Sequence, residues 1–222
     1  LFAGLILLNA CYDGEEIDNG NPPELPPASS MDPDFSYFSG EEEESGRVSV
    51  VSSWLYAATN VTVYSSILST ALVVPVTAYK VALEQTPTFD EELGVWVWAY
   101  NANVGSAEYA VKLTAEVADS EIIWTGDISK DGVFENFVWF QGTSTIGGNS
   151  GSWTLYESYM NPTPWLSAAW EKSEVEGKAN ATFTVEKEGD NFGSSISYSA
   201  TASGDFNRNV IITDTYADNT IT

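Results

Sequence analysis

The chain has 222 residues, 43% hydrophobic and 13% aromatic, enough for one sizeable packed domain or two small ones. Its 32 acidic residues against 8 basic ones give a formal net charge of −24, a field that repels nucleic acid phosphates and argues against nucleic-acid binding. With no histidine and one cysteine, Ser-His-Asp and Cys-His catalysis, Cys/His zinc sites and an intrachain disulfide are all excluded.

Residues 1–10 form an uncharged apolar run ending in Ala10, about half the length of a membrane-spanning helix. This is the pattern of the apolar core and cleavage site of a secretory signal. No Met or basic segment precedes it, so the sequence is expected to begin inside the leader. Leu8-Asn9-Ala10-Cys11 resembles the lipobox of bacterial lipoproteins, with Asn9 a departure from the small residue usual at that position. The resemblance covers about a dozen residues and implies that Cys11 receives a diacylglyceryl group, that residues 1–10 are removed, and that the new amino terminus is acylated. Three acyl chains, at about 0.8 kcal/mol per buried methylene, hold a protein on a bilayer far more firmly than one. The partner implied is therefore the lipid bilayer, and the location the cell envelope, at the outer membrane.

Residues 11–46 read as a tether. No Lys or Arg occurs before Arg47, whereas acids are frequent and end in the run Glu41 to Glu44. Pro22-Pro23 and Pro26-Pro27 favour extended polyproline geometry, so the segment is expected to hold the domain away from the membrane. An acid-rich stretch just after a lipidated Cys is similar to the export signals that send some lipoproteins to the outer cell surface.

A single β-rich domain is expected over residues 47–222. It opens with a charge-free stretch from Val48 to Tyr79, where Val51, Leu55, Ala58, Thr62, Ser65, Leu68 and Leu72 recur at helical spacing. One or two helices are expected between about Val48 and Leu83, with Pro75 breaking or kinking the segment. The polar content of this stretch (Asn60, Thr62, Ser65, Ser66) favours a helix buried under a sheet over a transmembrane span.

Beyond it, turn signals recur at Gly105-Ser106, Asp119-Ser120, Asp131-Gly132, Gly147-Gly148, Pro162-Thr163-Pro164, Glu176-Gly177, Gly189-Asp190 and Gly204-Asp205. Between them side chains alternate: Tyr109, Val111, Leu113 and Ala115 oppose Glu108, Lys112, Thr114 and Glu116, and Ala179, Ala181, Phe183 and Val185 oppose Asn180, Thr182, Thr184 and Glu186. Period-two alternation with one wet face is the pattern of an antiparallel meander. About nine long strands are expected, in a barrel-like or strongly curved sheet with the helical segment packed on it. The strand length also suits an outer-membrane barrel, an alternative at odds with the anchor and with the Ser/Thr-rich face. Gly94-Val95-Trp96 and Thr213-Asp214-Thr215-Tyr216 resemble two lipocalin motifs, a likeness that bears on fold alone.

Seven of the eight tryptophans lie between Trp96 and Trp170. Trp96, Trp98, Trp124, Trp139 and Trp153 are the candidate ligand-binding residues, because aromatics on a sheet stack sugar rings or line apolar pockets. Their alternative role is to fill the core between sheet and helix. Paired carboxylates are the one catalytic device left, with Glu108, Glu116, Glu135, Glu157 and Glu171 as candidates, but no spacing singles out a pair. Asp127 and Asp131 bracket a turn rather than mark a Ca²⁺ site. No nucleotide or other cofactor motif is present. The reading is a non-enzymatic lipoprotein that binds a glycan, a small apolar ligand or a partner through its sheet. A structural or assembly lipoprotein and a carboxylate-dependent hydrolase are the alternatives.

Overall fold

The computed structural model describes residues 20–32, 72–173, 178–201 and 208–221. Cys11 and the leader, residues 33–46 of the expected tether, the helical stripe from Val51 to Leu68, and the turn signals at Glu176-Gly177 and Gly204-Asp205 lie outside the described residues.

The domain is built on one antiparallel sheet whose eleven strands neighbour one another in chain order. They are β1 (Thr88–Asp90), β2 (Val95–Val104), β3 (Ala107–Ala118), β4 (Glu121–Lys130), β5 (Phe134–Thr145), β6 (Ser150–Ser158), β7 (Asn161–Ser173), β8 (Lys178–Val185), β9 (Ser195–Thr201), β10 (Arg208–Asp214) and β11 (Asn219–Ile221). The long strands β2 to β10 are the nine that alternation foretells. In β3, Tyr109, Val111, Leu113 and Ala115 are buried while Glu108, Lys112 and Glu116 are exposed. In β8, Ala181 and Phe183 are buried against exposed Lys178 and Asn180. Tight turns follow where Gly105 and Gly132 adopt φ +60 and +67, a left-handed backbone that glycine reaches without steric cost.

The expected antiparallel meander forms and is open: among the described residues β1 and β11 are its two edges and do not pair with each other, so the sheet does not close into a barrel. Both edge hairpins use one device. Asp90 Oδ1 accepts the backbone N–H groups of Glu92 and Leu93, each at 3.0 Å, and Asp214 Oδ1 accepts those of Tyr216 and Ala217 at the same distance. The Thr213–Tyr216 run that resembles a lipocalin motif thus closes the last hairpin.

Pro162-Thr163-Pro164 is no turn. The β6–β7 turn falls at Tyr159 and Met160, and both prolines stand inside β7. Pairing between β7 and β8 begins only at Leu166 opposite Val185, and the β6–β7 register shifts at Tyr156 opposite Pro164. The prolines therefore sit where no ladder N–H is required of them, beside a bulge.

Two layers cover the sheet's inner face. Helix α1 (Val73–Ala82) buries Pro75, Ala78, Tyr79 and Ala82, a spacing of three, four and seven that makes one apolar stripe. Pro75 does not break this helix: it stands in the first turn, where backbone N–H groups have no intrahelical partner. Lys80 occupies the last turn, where its charge complements the helix dipole. The second layer is a strap, Gly20–Asp32, ending in a 3-10 turn at Ala28–Ser30. Pro26, Ser30 and Met31 are buried and Leu25 packs on the core, so this part of the expected tether belongs to the folded domain. Its composition reads as solvated, yet side chains far along the chain capture it. Tyr79 Oη donates to the Pro26 carbonyl at 2.5 Å, Trp153 Nε1 donates to Ser30 Oγ at 3.0 Å, and Lys80 pairs with Asp32.

Candidate functional site

Four of the five candidate tryptophans are core. Trp96, Trp98, Trp124 and Trp153 all point to the inner face, at 8%, 2%, 0% and 1% exposure. Across the strands Trp98 and Trp124 lie 5.7 Å apart between ring centroids, Trp124 and Trp153 6.4 Å, and Trp153 stacks on Trp170 at 5.4 Å. Tyr79 from helix α1 meets Trp153 edge-on at 5.4 Å. The indole N–H groups are satisfied internally: Trp124 donates to Ser144 Oγ at 2.9 Å and Trp170 to the Gly148 carbonyl at 3.1 Å. Burial also pushes the phenol pKa values of Tyr79 and Tyr100 well above the ordinary range, and Tyr100 Oη donates to the Ala78 carbonyl at 2.6 Å.

Glycine makes this aromatic layer possible. Trp124 and Trp153 both stand opposite Gly142, Trp170 stands opposite Gly151, and Phe140 stands opposite Gly126. A Cβ on Gly142 would strike the Ser152 carbonyl oxygen and lie 2.6 Å from the Trp153 ring. One on Gly151 would strike the Thr143 carbonyl and lie 2.6 Å from the Trp170 ring. The rings fill room that any side chain at these positions would occupy.

Trp139 differs. The β4–β5 register shifts between Gly126 and Asp127, whose partners are Phe140 and Val138, so Trp139 is the extra residue of a bulge. Three residues earlier in the same strand, Asn136 takes φ 50 and donates its N–H to Ser129 Oγ at 2.8 Å. The distortion turns Trp139 into a half-buried aromatic cluster at one end of the sheet. Its ring lies 5.4 Å from Phe137, 5.9 Å from Phe134 and 6.4 Å from Tyr109. Tyr159, from the β6–β7 turn, stacks on Phe134 at 4.5 Å and 17°. Lys130 Nζ stands 5.3 Å above the Tyr109 ring.

Alternate connections of a meander fall at the same end, so the turns β2–β3, β4–β5, β6–β7, β8–β9 and β10–β11 share the cluster's end. Four of these five carry an exposed apolar side chain: Val133 at 49%, Tyr159 at 40% and Met160 at 80%, Phe192 at 54%, and Tyr216 at 72%. The register shifts of β4–β5 and β6–β7 both lie at this end as well. Sequence reading named Trp139 but missed Phe134, Phe137 and Tyr159 beside it, because a bulge breaks the period-two rule on which face assignment rests. The exposed residues at successive turns were its one available signal.

The carboxylate candidates do not converge. Glu108 stands opposite Asn103, Glu116 opposite Ile123, and Glu171 opposite Ser150 and Asn180. Glu135 is exposed near the β4–β5 turn. Glu157 accepts from Lys187 at 2.6 Å and from Asn161 at 2.5 Å, and the Lys187 ammonium holds its carboxyl below the usual range. Asp127, facing Lys112 across the β3–β4 ladder, is raised by partial burial, a rise that the lysine opposes. Among the described residues no group of three or more acidic or cysteine side chains lies close enough to hold a metal ion, and no helix is long and apolar enough to cross a membrane.

Comparison with protein-family models, with curated proteins and with solved structures returns no match.

Proposed function

We propose that the chain is a non-enzymatic lipoprotein of a bacterial cell envelope. Acylated Cys11 holds it at the outer membrane, and it binds a neutral ligand with an apolar face on the Phe134–Phe137–Trp139–Tyr159 cluster. The observation that carries the binding half is this cluster: stacked rings, half open to solvent, at a sheet end where two hairpins are bulged and four turns present apolar side chains. Rings so placed stack the apolar face of a sugar or cover a small apolar molecule. The chain's net charge of −24 disfavours an anionic ligand.

The anchoring half rests on the lipobox-like run ending at Cys11. Eight residues separate Cys11 from Gly20, a reach of at most about 30 Å, and the strap crosses the sheet over Gly148, at the end opposite the cluster. An anchor on that side leaves the cluster facing away from the bilayer. The test is titration with neutral oligosaccharides and with an apolar fluorescent probe, comparing the protein with Trp139→Ala. Saturable binding that weakens tenfold or more in the variant supports the reading, and binding that is absent or indifferent to Trp139 ends it.

A further inference from the structure

We propose that the aromatic bed under the strap is a segment-exchange site, on which Gly20–Asp32 of one molecule docks onto the sheet of a second copy. Four of the six residues from Pro22 to Pro27 are proline, and Pro27 has φ −62 and ψ 151, the polyproline geometry. The bed holds this chain as aromatic grooves hold Pro-rich peptides, by ring-borne donors aimed at the peptide. Tyr79 Oη donates to the Pro26 carbonyl at 2.5 Å and Trp153 Nε1 to Ser30 Oγ at 3.0 Å. Gly148 lets the strap lie close over the β5–β6 turn, since a Cβ there would stand 3.1 Å from the Glu24 carbonyl oxygen.

Two features make this contact exchangeable. Among the described residues the strap is not one of the sheet's eleven strands, so it can leave without opening any ladder between strands. It then uncovers Tyr79, Trp153 and the site of Met31, an apolar bed that needs a cover, and this segment is the one shown to fit it. Thirty-nine residues, 33–71, lie between the strap and Leu72 at the head of helix α1, and a chain of that length has a fully extended limit of about 130 Å. The same contacts form within and between copies, so local concentration decides which arrangement holds.

The experiment uses the full chain with a protease site inserted between residues 40 and 41 and cut after purification. The expected result is that the released amino-terminal piece stays bound and is replaced by a labelled synthetic peptide of Gly20–Asp32, but not by its scrambled form. Tyr79→Phe should weaken the peptide by about fivefold, the value of one hydrogen bond. Retention of the original piece against a hundredfold excess of peptide, or equal binding of the scrambled peptide, overturns the proposal. Should cutting unfold the protein, two differently tagged uncut chains are mixed at high concentration. Mixed dimers that the peptide dissolves support exchange, and their absence, or their indifference to the peptide, overturns it.

Discussion

Gly142→Ala adds one methyl group to the middle of the aromatic layer, between Trp124 and Trp153. The new carbon would strike the Ser152 carbonyl oxygen, a backbone atom of the neighbouring strand, and approach the Trp153 ring to 2.6 Å. Neither partner can swing aside. Trp153 is 1% exposed, stacks on Trp170 and is tied by its N–H to Ser30, while the carbonyl belongs to β6 within the sheet. Relief requires β5 and β6 to separate locally, at about 1 kcal/mol for each weakened ladder bond, together with an overpacking cost of about 1–3 kcal/mol. The sum is on the order of 3 kcal/mol. For a chain of this length that lowers Tm by about 6–12 °C. The assay is paired thermal and urea unfolding of Gly142→Ala and Gly105→Ala. Gly105 has φ +60 and nothing within 4 Å of the added carbon, so its alanine variant carries only the left-handed backbone cost of about 1 kcal/mol. If Gly142→Ala is no less stable than Gly105→Ala, the interlocked aromatic layer is wrong.

Three further outcomes follow from the same contacts. Tyr79 and Tyr100 both have pKa values raised above the ordinary 10.0, chiefly by burial. The folded chain therefore keeps phenol protons that the unfolded chain loses, and the contribution of these two groups to stability is level below pH 10 and falls above it, by about 1.4 kcal/mol per pH unit for each phenol. Urea unfolding from pH 8 to 11.5 measures this, and the slope should shrink in Tyr79→Phe and Tyr100→Phe. Met31→Ala should cost about 2–4 kcal/mol by urea unfolding, because Met31 is 2% exposed in the strap; a tether free of the domain would show no change. Trp139→Ala, by contrast, should cost less than Trp153→Ala in the same assay, since it empties a half-open cluster rather than the middle of the core.

The sheet was legible because a half-wet strand must alternate, and β3, β8 and the Trp96–Trp98–Tyr100 face announce themselves in that way. Turns were legible where glycine or Asp-Gly marked a reversed backbone, as at Gly105 and Gly132. Pro162 and Pro164 misled, because proline forbids a ladder hydrogen bond rather than a strand, and here no such bond is called for. The three-residue strands β1 and β11 are too short for a period to show. That Trp96 and Trp98 share one face was visible in the sequence, but not what covered it: the strap is acidic and proline-rich, and its partners Tyr79 and Trp153 lie 53 and 123 residues from the atoms they hold. The glycines opposite the rings carried a signal that only the register makes readable.

The proposed anchored role turns on the chemistry at Cys11, and intact-mass analysis of the protein purified from its own membranes addresses it directly. The expected species is a chain beginning at Cys11 that carries the added mass of acyl chains on that residue and partitions into detergent. A chain that retains residues 1–10, with a free thiol at Cys11, would contradict it.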